Sequence, residues 1–277
     1  MRYNFGVMQG RLSKKINNKI QAFPEKNWKE EFSTAKKLKL RLIEWTVDYK
    51  NYHKNPLFTD EGQKNIKKLK KKYSINIKSL TGDHFMQKPF WKCSNNLKLL
   101  GDFKNLIASC GKLKIGFIVI PLVDNGSLSN NKEELNFLNT CKNFSSFLKK
   151  NKVKLIFESD YPPLKLKKFI SKLDKKIFGI NYDSGNSAAL NYDIDKEFKL
   201  YGNRIYNVHI KDRKKYGKTV RLGNGNANLK KLFQNLKSIN YKGNLILQTA
   251  RSKKNKDIEE IKINLRYLKN LIKKLYD

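Results

Sequence analysis

The sequence predicts a (β/α)8 barrel, in which eight parallel strands alternate with helices around one core. Three observations predict it. Eight apolar, β-rich runs recur along the 277 residues, near 3–8, 40–46, 75–80, 115–121, 153–158, 177–182, 205–210 and 243–248. The segments between them repeat apolar residues every three or four positions, which is helical spacing. The runs start about 24 to 40 residues apart, as expected for repeated strand–helix units. An open doubly wound sheet is the alternative, but no Gly-rich phosphate loop follows the first run. No linker rich in Pro, Gly or Ser divides the chain, so one domain over 1–277 is expected.

Taken in order, the first run leads to Gln9 and Arg11, then to a helix over 28–40 with Phe32, Ala35 and Leu38 on one face. The second run carries Glu44 and Trp45 near its end and precedes a helix over 61–73. Asp83 and His84 follow the third run, ahead of a helix over 96–113. Asp124 and Asn125 follow the fourth, ahead of a helix over 132–151. Trp45, Phe85, Phe90 and Trp91 read as an apolar wall shaping a pocket.

The last four runs each close on a polar residue. VKLIFE ends at Glu158, IFGINYD at Asp183, IYNVH at His209 and NLILQ at Gln248; helices over 229–239 and 258–276 complete the alternation. In a parallel barrel the C-terminal strand ends converge on one face. Two carboxylates, an imidazole and an amide oxygen there suit one divalent ion, Mn²⁺, Mg²⁺, Co²⁺ or Zn²⁺, and the two negative charges neutralise it. Asn186, Lys211 and Arg213 lie close by in sequence, and Arg251 follows Gln248. The Gly-rich stretch RLGNGNAN (221–228) offers backbone N–H groups to a phosphate.

The formal net charge of +36 raises nucleic-acid binding as a function. The lysines, however, spread over the polar faces of helices along the whole chain. Lys, Asn, Ile, Tyr and Phe, all with A/T-rich codons, are abundant and Arg is not. A local patch built for nucleic acid would favour Arg. The field still attracts anionic substrates. Cys93, Cys110 and Cys141 form no C-x-x-C and are odd in number, which fits reduced thiols in the cytoplasm. MRYNFGVMQGRL enters a strand at once, without a signal-peptide pattern, and no run of 18 apolar residues marks a membrane helix.

Taken together, FGVMQGRLS (5–13), LIEWTVD (42–48), FESD (157–160), NYDSGNSA (181–188), NVHIKDR (207–213), LGNGNAN (222–228) and YKGNLILQTAR (241–251) resemble the sugar phosphate isomerase/epimerase superfamily, the xylose isomerase-like TIM barrels. The resemblance spans almost the whole chain. It implies Glu158, Asp183, His209 and Gln248 as metal ligands, on a pattern of Glu, Asp, His and Glu. In the ketose 3-epimerase branch the two glutamates also serve as an acid/base pair. This sequence departs twice: Gln248 replaces the second glutamate, and Asn186 stands where a substrate-binding His is common.

The expected function is therefore a metal-dependent isomerase or epimerase of a sugar or sugar phosphate, working through an enediolate. Glu158 and Lys211 are the catalytic candidates. Gln9, Arg11, Glu44, Asn186, Arg213 and Arg251 are the substrate-binding candidates. Glu44 or Asp212 would be the replacement acid if epimerisation needs one. The alternatives are a barrel that binds a sugar or partner without turnover, and an endonuclease IV-like DNA repair enzyme. The second is disfavoured because three histidines are too few for a trinuclear zinc cluster. A homo-oligomer is left open.

Overall fold

The computed structural model describes residues 3–252 and 254–276; Met1, Arg2, Lys253 and Asp277 lie outside the described residues. Its strands are β1 (Phe5–Met8), β2 (Leu42–Thr46), β3 (Ser79–Thr81), β4 (Phe117–Leu122), β5 (Lys154–Ser159), β6 (Phe178–Asp183), β7 (Ile205–Ile210), β8 (Asp212–Arg213), β9 (Thr219–Val220) and β10 (Asn244–Leu247). Eight of them close into a parallel barrel in the order β1-β10-β7-β6-β5-β4-β3-β2, while β8 and β9 form a small antiparallel ribbon. Each barrel strand coincides with one expected run, usually trimmed by a residue or two.

The helices are α1 (Glu30–Lys37), α2 (Asp60–Tyr73), α3 (Asp83–Gln87), α4 (Leu97–Leu113), α5 (Asn131–Asn151), α6 (Pro163–Ser171), α7 (Ser184–Ala189), α8 (Ile194–Tyr201), α9 (Leu229–Ser238) and α10 (Asp257–Tyr276). Their starts follow local chemistry. Thr59 Oγ1 accepts the Gly62 N–H at the start of α2, and Asn130 Oδ1 accepts the Glu133 N–H at the start of α5. Helices α6 and α8, read only as part of the alternation, are nine and eight residues long, too short for a strong periodic signal. Among the described residues no helix is long and apolar enough to cross a membrane, and the three cysteines are free.

Most of the core lies between strands and helices. Trp45, Phe85, Phe90 and Trp91, expected to wall the pocket, belong to it instead. Trp45 packs on Phe23 and Trp28, Phe85 and Phe90 on Phe103, and Trp91 on Phe137. Burying these rings removes more apolar area from water than a half-wet pocket wall allows.

Inside the barrel, Met8, Leu42 and Ile246 form a small apolar plug. Strand β1 approaches β2 so closely there that a Cβ on Gly6 would lie 2.6 Å from Leu42 Cβ. One step up, on the same inward parity, the barrel turns polar with Glu44 and Gln248. A register shift between Ile180 and Asn181 skips Tyr206, so that Asn181 pairs with Asn207 and Asp183 with His209. This bulge aligns the inward polar residues of β6 and β7.

Candidate active site

Glu158, Asp183 and His209, on β5, β6 and β7, each bring one ligating atom within 4.8 Å of the others, and all three are buried. His209 Nδ1 is 3.0 Å from Glu158 Oε2 and 4.0 Å from Asp183 Oδ2. Its Nε2 lies 2.6 Å from Glu44 Oε1. His209 thus stands between two carboxylates, with Nε2 on Glu44 and Nδ1 facing Glu158 and Asp183. A carboxylate on the far side of an imidazole fixes the orientation of the ring, as it does for histidines that bind metals.

A buried polar layer holds the arrangement. Glu44 accepts hydrogen bonds from Thr81 Oγ1 at 2.7 Å and Asn207 Nδ2 at 2.9 Å. Asn207 Nδ2 also donates to Asn181 Oδ1, and Asn181 Nδ2 donates to Glu158 Oε2 at 2.8 Å. Asn186 Nδ2 donates to Glu158 Oε1 at 2.6 Å, while its own Oδ1 accepts from Arg213 Nη1 and Lys211 Nζ. Asp183 Oδ1 caps α7 by accepting the Gly185 and Asn186 N–H groups, which leaves Oδ2 to the Lys211 ammonium at 3.2 Å.

The electrostatics follow from burial and this network. Burial alone lowers the His209 pKa, but the Glu44 carboxylate, with hydrogen bonds to Glu158 and Glu44, raises it to about 10. Burial likewise works against ionised Glu158, and His209 together with Lys211 outweighs it, so Glu158 is held below the usual carboxylate range. Asp183 goes the other way: burial and the Glu158 charge raise it despite Lys211 and His209.

Glu158 opens onto a cavity of about 760 Å³. Glu158, Asn186, Lys211, Arg213, Arg11 and Gln248 line it, so six of the sequence candidates share one space. Gln248 Nε2 donates to Met8 Sδ, and its Oε1 is buried without a hydrogen-bond partner. Asp183 and His209 are buried and are not among the lining residues.

Three substrate-binding candidates are placed elsewhere. Glu44 is fully buried under His209. Gln9 is also fully buried, and its Oε1 accepts the Thr46 N–H. Arg251 forms an ion pair with Asp257 and donates to the Gly10 and Ser13 carbonyls, stitching the β10 loop to the β1 loop. The Gly-rich loop also departs from its expected role. Its Gly223, Gly225 and Ala227 N–H groups all donate to the Asp212 carboxylate. A Cβ on Gly225 would lie 2.0 Å from Asp212 Oδ1, so the loop is moulded on the protein's own anion. That also removes Asp212 as a spare catalytic acid.

The sequence reading missed Asn181 and Asn207. They appear as ordinary polar residues in apolar runs, but their position two residues before Asp183 and His209 puts them on the same inward face. It also gave Asp83 no role beyond following the third run, whereas Asp83 is only 5% exposed and lines the cavity.

The comparisons agree with this architecture. The sequence matches the family model of the xylose isomerase-like TIM barrel over residues 32–271. The chain belongs to that family. Among curated protein sequences none matches it. Among solved structures, this xylose isomerase-like barrel is similar to a xylose isomerase domain protein from Planctomyces limnophilus, with a TM-score of 0.79, 13% identity and 99% of each chain covered. It is similar to D-psicose 3-epimerase from Clostridium cellulolyticum H10, solved with D-tagatose, with a TM-score of 0.74, 12% identity, and 97% of this chain and 99% of that chain covered. The IOLI protein, solved with a zinc atom, gives 0.76 at 15% identity with 99% of each chain covered. At such identities the likeness is one of fold.

The donor set fits a divalent ion. Two carboxylate oxygens, an imidazole nitrogen already oriented through its far side, and the orphaned Gln248 Oε1 are hard or borderline donors. Among the described residues, Glu158, Asp183 and His209 are the only such group of three. His53 and His84 instead flank Asp102, with His84 Nε2 at 3.4 Å, so the histidines do not gather into the cluster that the DNA-repair reading requires.

Proposed function

We propose that this barrel is a divalent-metal-dependent isomerase or epimerase of a sugar or sugar phosphate, with Glu158 as the base. The buried Glu158–Asp183–His209 group, whose Glu158 lines the cavity, carries the reading. The fold relative named above as a 3-epimerase supports it. Glu158, Asp183, His209 and Gln248 would hold the ion, which when bound polarises a carbonyl and stabilises an enediolate. Mn²⁺, Mg²⁺, Co²⁺ and Zn²⁺ all suit these donors, and the zinc of the IOLI protein supports the last.

The chain's own residues supply the rest. Glu158 is ionised and fixed by Asn181 and Asn186, so it can take a proton from a carbon beside the carbonyl and return it to the neighbouring carbon. Lys211 pairs with Asp183 at 3.2 Å and lines the cavity, so its ammonium is placed to donate to a substrate oxygen. Arg11, Lys19 and Arg213 border the cavity and suit a phosphate or another anionic group. The free thiols accord with a cytoplasmic setting, and we take the chain as one domain.

Metal analysis of the purified protein followed by solvent-deuterium incorporation across aldoses, ketoses and their phosphates tests this reading. Bound metal with exchange into one sugar supports it; no metal and no exchange end it. Gln248 favours a second reading, a barrel that binds without turnover, because an amide cannot act as a base. Gln248→Glu separates the two: a large gain of epimerase activity would point to a repurposed site, and loss of a native activity to a working amide.

A further inference from the structure

The reaction proposed above leaves a chemical gap. Glu158 can move the carbon-bound proton, but isomerisation also needs a proton placed on one substrate oxygen and removed from its neighbour. Gln248 cannot do either. The structure offers another carboxyl in the same cavity.

Asp83 follows β3 and is pinned by its neighbours. The Gly82 N–H donates to the Val119 carbonyl at 2.9 Å, extending the β3–β4 ladder, and the His84 N–H donates to the Val47 carbonyl at 2.8 Å. Between these tethers the Asp83 side chain is 5% exposed and lines the cavity with Glu158. Its Oδ2 is buried with no hydrogen-bond partner. Buried polar atoms in native structures usually have a partner, so a carboxyl oxygen without one, at the wall of a cavity, calls for an explanation such as a water, an ion or a ligand. In the ring of strands Asp83 stands two strands from Glu158, so the two carboxyls reach a bound molecule from different sides.

We propose that Asp83 is a catalytic acid of this barrel, its carboxyl group donating to a substrate oxygen while Glu158 moves the carbon-bound proton. The proposal rests on the isomerase or epimerase reading. In the first half-reaction, Glu158 takes the proton from the carbon next to the carbonyl and the C–H electron pair forms the enediol double bond. The carbonyl oxygen takes the Asp83 proton. In the second, Asp83 carboxylate removes the proton of the adjacent hydroxyl, the carbonyl re-forms at that carbon, and Glu158 returns its proton to the neighbouring carbon. Both residues end as they began, and no electrons leave the pair of carbons. The protonated state of Asp83 has a physical basis. Burial raises its pKa well above the usual value, and the Asp48 and Glu158 charges add to this, against Arg11 and His209.

The test uses the metal-loaded protein and the sugar that shows solvent exchange. Asp83→Asn keeps the shape and removes the acid. We expect kcat to fall about 10²-fold or more, as for loss of a general acid, with KM, metal content and melting temperature close to wild type. The alkaline limb of the wild-type pH profile should vanish with it, and Asp83→Glu should restore part of the rate. Wild-type kcat and an unchanged alkaline limb in Asp83→Asn overturn the assignment. So does a fall in kcat that tracks lost metal or lost stability, which marks a structural role. If the wild-type protein exchanges no sugar, the isomerase reading itself fails, which distinguishes that failure from failure of the Asp83 assignment.

Discussion

The two sides of the barrel mouth treat their acidic groups differently, although one amide oxygen on the first side, Asn207 Oδ1, is also buried without a partner. On the β5–β7 side every acidic group is engaged. Glu158 accepts from Asn181 and Asn186, Asp183 caps α7, and Asp212 holds three backbone N–H groups of the loop beyond β9. On the β3 and β10 side, Asp83 Oδ2 and Gln248 Oε1 are buried with no partner. Satisfied groups are fixed in place before any ligand arrives, and their hydrogen bonds offset the cost of burial. Orphaned ones carry that cost until something binds. The engaged side therefore reads as machinery set in advance, and the orphaned side as the surface that a metal and substrate complete.

The strongest way to break this contrast is at its centre. Glu158→Gln keeps the side-chain size, removes the base and leaves one of the two Asn donors without its acceptor, and turnover should fall about 10²–10⁴-fold. A variant that keeps wild-type kcat would show that Glu158 is only part of the scaffold.

Next comes the support under the histidine. Glu44→Gln should weaken metal affinity about 10–100-fold, the usual cost of losing an orienting partner. His209→Ala should remove most of the bound metal. Competition titration with a chelator reads both, and unchanged metal content in His209→Ala would refute the ligand assignment.

Asp212 sharpens the contrast from the structural side. Asp212→Ala leaves three N–H groups without their acceptor and should destabilise the fold by about 1–3 kcal/mol. Denaturant unfolding measures this. An unaltered midpoint would mean that water replaces the carboxylate without cost.

The smallest expected effect concerns pH. In chelator-treated protein the folded His209 pKa is raised to about 10, against about 6.5 unfolded. Its contribution to stability is thus fully present below about pH 6.5 and is lost as pH rises through about 10. Unfolding of wild type and His209→Asn, compared from pH 6 to 10.5, should show the gap closing as pH rises. A constant gap would indicate that His209 is neutral in the metal-free fold.

Much of the site was legible because a parallel barrel turns sequence order into spatial order. Once 153–158, 177–182 and 205–210 are read as strands, their polar ends must meet at one mouth. The asymmetry within that mouth was not legible. Nothing near Glu44 in sequence tells that it lies under a histidine 165 residues away, and nothing in LGNGNAN tells that its N–H groups close on Asp212. Asp83 drew no role from the sequence because its burial depends on where the β2, β3 and β4 ends sit, not on its neighbours in the chain.

By itself the sequence determined the alternation of eight strands with helices, the family, and which residues stand at the strand ends. Those follow from local periodicity and from connections that allow one closure. Only the tertiary structure decided which polar groups find partners and which stay without. That depends on packing between distant segments, where a register shift beside Asn181 sets the alignment of Asp183 with His209.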